Sequence, residues 1–127
     1  MNHEAKKIWV EALRSGKYEQ GKEALCSQST SGGKQFCCLG VLVDCYMKHS
    51  GKYFWQLAGN PSFWHWYFPY GLSDKYNSGS LPDAKDFRDW IGNMSFSSSD
   101  AEIELMTLND DKDFTFAEIA DWIEENL

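Results

Sequence analysis

Phe36-Cys37-Cys38-Leu39-Gly40-Val41-Leu42-Val43-Asp44-Cys45-Tyr46 is the segment from which the fold can be read. It is apolar on nearly every side and carries three of the four cysteines, so it belongs in the middle of a core. The pattern predicts a helix from about Cys37 to Lys48, closed by Gly51 after His49 and Ser50. Gly40 inside that helix costs about 1 kcal/mol in propensity, which points to close packing against another backbone element.

On the N-terminal side, Glu4 to Ser15 places Ile8, Trp9, Ala12 and Leu13 on one helical face, and Gly16 supplies a stop. The period is lost from Lys17 to Leu25, and Ser27 to Gly33 reads as a polar loop. Lys22–Cys26 and Lys34–Phe36 are expected to form a short hairpin. From Tyr53 to Tyr76 the chain is crowded with aromatic residues, broken by Pro61, Pro69 and several glycines, with neither a helical nor a strand period. This segment reads as an irregular flap over one end of the core. The alternative is a stacking surface for a planar ligand, or an interface hot spot.

Helical order resumes at Leu81, with Pro82 in the first turn, Ala84, Phe87, Trp90 and Ile91 on one face and Gly92 at the end. Ser99 with Glu102 reads as a capping box for a short helix running to about Leu108. Thr115 with Glu118 reads as another, and Phe114 can staple onto Ile119. The expected fold is therefore α+β, mainly α: about five helices around a buried central helix, with a short β-hairpin and an irregular aromatic-rich segment. At 127 residues, 43% of them hydrophobic, residues 1–127 suit one domain.

Nineteen acidic against twelve basic residues give a net charge of -7, a field that repels nucleic acid and anionic membranes. With neither an apolar leader nor a run long enough to span a bilayer, the chain is expected to be a soluble cytoplasmic protein. Cys26, Cys37, Cys38 and Cys45 suit buried, reduced thiols. A zinc site is a poor reading, because no C-x-x-C pair exists and His3, His49 and His65 fall at no ligand spacing. Asn109-Asp110-Asp111-Lys112-Asp113 imitates a calcium loop but puts Phe114 at the glycine position and Ala120 at the final glutamate position. A turn whose side chains bond free backbone amides explains it better. Neither a metal nor a cofactor is expected.

Cys37 and Cys38 are the candidate nucleophiles, since one of them opens the central helix, where the macrodipole can lower a thiol pKa. The three histidines lie in weak contexts for a base, so catalysis by these thiols is the lesser reading. The segment Leu13-Arg14-Ser15-Gly16-Lys17-Tyr18-Glu19-Gln20-Gly21-Lys22 is richer in ligand-type groups.

At these residues the chain resembles a family of small proteins of tailed bacteriophages and prophages. The matching pieces are Ala12 to Gly16 with Tyr18 and Gln20-Gly21-Lys22, Phe36 to Leu42 with Asp44, and Leu81-Pro82. Leu108-Asn109-Asp110, Phe116, Glu118 to Asp121 and Ile123-Glu124 complete them. The aromatic stretch 53 to 76 looks longer and richer in tryptophan than the family pattern. The resemblance implies a phage or prophage accessory gene acting in the cytoplasm of an infected bacterium. The expected function is a non-enzymatic counter-defence binding protein that captures a host-derived nucleotide signal. In that reading Arg14, Lys17 and Lys22 meet phosphates, Gln20 and Asn109 bond a base or ribose, and Trp64 or Trp66 stacks. Tyr18, Cys37 and Asp110 complete the expected contact set. One alternative is an acidic inhibitor of a host defence protein, whose aromatic flap covers a basic groove. Another is a hydrolase using Cys37, Cys38 or Asp110. Homo-oligomerisation is compatible with all three.

Overall fold

A computed structural model describes residues 1–58, 66–72, 80–96 and 99–127. The Cys-rich segment forms the helix α2, Cys38–Ser50. Cys38 to Val43 and Cys45 to Met47 are all buried, and Asp44 is half-buried. Burial on every side removes any amphipathic stripe, so α2 serves as the axis of the core. Each fully buried Leu or Val here contributes about 1.5–3 kcal/mol relative to exposure.

Helix α1, His3–Arg14, is capped by the Asn2 side chain, which accepts from the Ala5 N–H, and buries Ala5, Trp9, Val10 and Leu13. Trp9 donates its indole N–H to the Cys38 carbonyl at 2.9 Å, tying α1 to the first turn of α2. The remaining helices are α3, Lys85–Ile91, α4, Ala101–Asp110, and α5, Phe116–Asn126. Both reciprocal bonds of the Thr115–Glu118 capping box are present. The fold is α+β and mainly α, with five helices among the described residues and a small sheet.

Two starts differ from the sequence reading. α3 begins at Lys85 because Pro82 is used outside the helix, its carbonyl accepting from Arg88 Nε at 2.7 Å. α4 is capped by Asp100, not Ser99, through a bond from the Glu102 N–H. The Glu102 carboxylate instead receives the Leu81 N–H at 2.6 Å and pairs with Arg88.

The sheet comprises β1, Glu19–Gln20, β2, Cys26–Gln28, β3, Lys34–Phe36, β4, Phe54–Ala58, and β5, Trp66–Tyr70, in the order β1-β3-β2-β5-β4. β1 runs parallel to β3, and the other pairings are antiparallel. The short hairpin exists, but its first strand starts at Cys26, where the earlier boundary at Lys22 falls in loop.

The larger correction concerns the aromatic stretch, read as irregular: β4 and β5 pair in register from Phe54↔Tyr70 to Ala58↔Trp66. Aromatic residues occupy both faces of this hairpin, which hides the period of two. Trp55 turns inward against Phe36, while Phe54 stacks on Tyr70 across the outer face, ring centroids 4.9 Å apart. A two-residue ribbon pairs β6, Ser95–Phe96, with β7, Ser99–Asp100. No helix of the described residues is long and apolar enough to cross a membrane.

Candidate functional site

Part of the expected ligand set, Gln20, Asn109 and Asp110, converges, and it converges on itself. Asn109, at the end of α4, is completely buried. Its Oδ1 accepts from the Cys38 N–H at 3.2 Å and from Gln20 Nε2 at 3.0 Å. Its Nδ2 donates to the Gly21 carbonyl at 2.9 Å and to Asp110 Oδ1 at 2.8 Å. Gln20 donates further to the Phe114 carbonyl at 2.7 Å, and Asp110 Oδ1 accepts the Glu23 N–H at 3.1 Å. Lys22 pairs with Asp113 across the outside of this corner.

Local chemistry explains why a buried amide stands here. The N-cap residue of α2 is Cys37, whose side chain makes no capping bond, so the first-turn amide of Cys38 needs an acceptor from elsewhere. Asn109 supplies it from a distance of 71 positions in sequence. The corner is therefore a cap in trans that also fastens the turn after α1 to the α4–α5 turn. Its polar atoms are spent internally. Among the described residues, no buried side-chain nitrogen or oxygen lacks a partner.

Tyr18 is engaged in the same manner, donating to Asp44 of α2. Asp44 also accepts the Trp55 indole N–H at 3.0 Å and pairs with Lys48 at 3.2 Å, so one carboxylate joins α2, β4 and the turn after α1. Arg14 reaches α5, where it bonds Asp121 at 2.6 Å and Glu124 at 2.8 Å. Lys17 is exposed beyond the end of α1. Trp66 stands on β5, away from the Asn109 corner, and Trp64 lies outside the described residues. The set thus divides into an internal junction (Gln20, Lys22, Asn109, Asp110, with Cys37 beside it), a strut (Tyr18), and outlying groups (Arg14, Lys17, Trp66).

The surroundings of the thiols work against nucleophilic chemistry. All four cysteines are free and buried. Burial pushes Cys37 up to about 12, against which the backbone N–H groups of Gly40 and Leu39 act only partly, and it pushes Cys45 up to about 11. Cys26 and Cys38 move upward for the same reason. At the start of α2, loss of water around a buried sulfur outweighs the favourable helix terminus, which works against the lesser reading of Cys37 or Cys38 as a nucleophile. His49 stacks on Trp90 and His3 lines an outer cleft, and neither hydrogen-bonds a thiol.

These shifts set an alkaline limit on stability. A folded protein that holds its thiol protons above the ordinary value of 9.0 loses stability as pH rises, because the unfolded chain releases those protons first. The contribution is complete below about pH 9 and declines through the values near 11 and 12. Denaturant midpoints measured from pH 7 to 11 are expected to be level at first and then to fall. A thiol-specific reagent at pH 8 is expected to react roughly 100-fold more slowly with native than with unfolded protein. Equal rates in the two states would contradict the sealed arrangement.

The chain thus combines a mainly α, α+β fold with a buried central helix capped in trans by an asparagine and with buried thiols. The chain belongs to the family described as a domain of unknown function, DUF8296, whose family model matches residues 1–127. No curated protein and no solved structure matches it.

Proposed function

We propose that this protein is a non-enzymatic binding protein of the phage counter-defence kind, acting in the cytoplasm of an infected bacterium on a host defence protein. The observation that carries the reading is the outer face of the β4–β5 hairpin. Phe54 and Tyr70 stack there while remaining 51% and 53% exposed. Residues 53–58 and 66–72 contain no charged side chain, although the chain as a whole carries -7. Exposed aromatic rings on an uncharged strand pair have the chemistry of an interface core, and the net charge of -7 suits a basic partner. Burial, by contrast, raises the pKa of the thiols, which disfavours the cysteine version of the hydrolase alternative.

Nucleotide capture at the Gln20–Asn109 corner has less support, since those amides already satisfy one another. The test is affinity capture from lysate of infected cells with the wild-type chain and with Phe54→Ala/Tyr70→Ala. Both residues are half-exposed, so the variant is expected to keep its melting temperature within a few degrees. It is expected to lose its partner at least about 30-fold, the effect of removing an aromatic hot spot. Equal recovery by both proteins would refute this face as the contact.

A further inference from the structure

We propose that the outer edge of β4 joins a second copy of this chain in an antiparallel, two-fold pairing centred on Gln56. Among the described residues β4 is the last strand of the sheet, bonded on one side to β5. Strands in that position are ordinarily protected by charge, proline, a bulge or brevity. Phe54-Trp55-Gln56-Leu57-Ala58 has no charge, proline or glycine, and its register with β5 advances one for one over all five residues.

Pro69 reveals which main-chain groups of β4 point outward. Opposite residues in an antiparallel pair alternate between those that exchange N–H···O bonds and those that do not. Trp55 stands opposite Pro69, which has no N–H and whose carbonyl accepts the Leu72 N–H at 3.0 Å. The bonds to β5 therefore fall at Phe54, Gln56 and Ala58, and the main-chain groups of Trp55 and Leu57 point away from the sheet. In agreement, the Gln56 side-chain amide turns back onto the Leu57 carbonyl at a long 3.4 Å. Apolar side chains are exposed on both faces of this edge, Phe54 at 51% on the outer face and Leu57 at 41% on the inner one. A ligand lying on one face covers one of them, whereas an added strand flanks both.

A second β4 fits this edge. Turned about Gln56, Trp55 of each copy lies opposite Leu57 of the other, so the outward-facing residues of both edges exchange their bonds in a single register. Gln56 then meets Gln56 of the second copy, amide beside amide, and Trp55 packs beside Leu57 as aromatic against aliphatic. Copies that each carry -7 repel on average, and residues 53–58 are a place where they can touch without bringing charge to the contact.

This pairing uses the edge of the sheet, whereas the host-protein reading rests on its outer face, so either can fail without the other. The test is sedimentation equilibrium of the purified chain from about 1 to 300 µM. A monomer–dimer equilibrium with a Kd of about 10–100 µM is expected, as suits a small interface. It should tighten between about 20 and 300 mM salt, because screening quiets the repulsion between two acidic copies. Gln56→Lys and Gln56→Glu, at an exposed position, are each expected to fold with little change in melting temperature and to weaken the dimer at least about tenfold. An equimolar mixture of the two is expected to recover it, since opposite charges then meet at the axis. Tyr70→Ala, on β5, is expected to leave the Kd within about twofold. The proposal is overturned if the wild-type chain stays monomeric at about 300 µM, or if its dimer weakens as salt rises. It is equally overturned if the Gln56 variants dimerise like wild type, if their mixture fails to recover the dimer, or if Tyr70→Ala abolishes it, which would put the self-contact on the outer face.

Discussion

Gly40→Ala is expected to destabilise the protein by at least about 3 kcal/mol, or to prevent folding, although alanine is the better helix former by about 1 kcal/mol. The two effects have opposite signs, and distance decides between them. A Cβ built on Gly40 lies 1.7 Å from the Leu25 carbonyl oxygen and 2.6 Å from its carbonyl carbon. The obstacle is main chain, so no rotamer change can relieve it. To admit one methyl group, α2 would have to move off the strand that begins at Cys26, opening the packing of the most buried helix in the described chain. Gly51→Ala is the matched comparison. Gly51 sits at φ +69 with open space around it, so only backbone strain of about 1 kcal/mol is expected there. Urea unfolding of both variants separates crowding from strain. If Gly40→Ala is neutral or stabilising, the close approach of α2 to Leu25 is wrong.

Asn109→Ala is expected to cost about 3–5 kcal/mol, a large part of the 5–15 kcal/mol that holds a domain folded. The substitution leaves the Cys38 N–H and the Gly21 carbonyl without their bonds, and an unsatisfied buried group costs about 1–3 kcal/mol. Gln20 keeps its bond to the Phe114 carbonyl, so Gln20→Ala alone is expected to cost about 1 kcal/mol. In a double-mutant cycle the two should be non-additive, because they share the bond at Oδ1. Asn109→Asp resolves the donor side. It keeps the acceptor facing Cys38 but sets a carboxylate against Asp110 and the Gly21 carbonyl, so it should be at least as damaging as alanine near neutral pH. Stability measured by chemical denaturation is the readout. A cost below about 1 kcal/mol for Asn109→Ala would show that the corner does not hold α2.

The helices were legible from local signals: Thr115 at a cap, Gly16 and Gly51 at stops, and apolar stripes on α1 and α5, whereas the Asn2 and Asp100 caps were not read from the sequence. The uniform greasiness of residues 36–46 identified the central helix for a related reason, since a helix buried on all sides needs no polar face. The β4–β5 hairpin was not legible. Its inner face packs on Phe36 and its outer face carries exposed rings, so aromatic residues alternate with aromatic residues and Pro69 argues against a strand. Strand pairing with β2 supplied what local sequence lacked.

The site divides in the same way. Sequence grouped ten residues as one ligand set, and of these Gln20, Asn109 and Asp110 meet through side-chain bonds while Arg14, Lys17 and Trp66 lie elsewhere. Whether they meet around a ligand or around one another depends on which backbone groups lack partners, and the Cys38 amide and Gly21 carbonyl are such groups.

Composition and periodicity were enough to set the number of helices, which one is central, and the reduced state of the thiols, because these follow from local propensity and from the cost of exposing apolar surface. Long-range packing settled where the aromatic strands pair, that Asn109 caps a helix it does not belong to, and that burial raises the pKa of the cysteines. Those outcomes depend on hydrogen-bond partners and desolvation brought about by residues far away in the chain, and no local pattern encodes them.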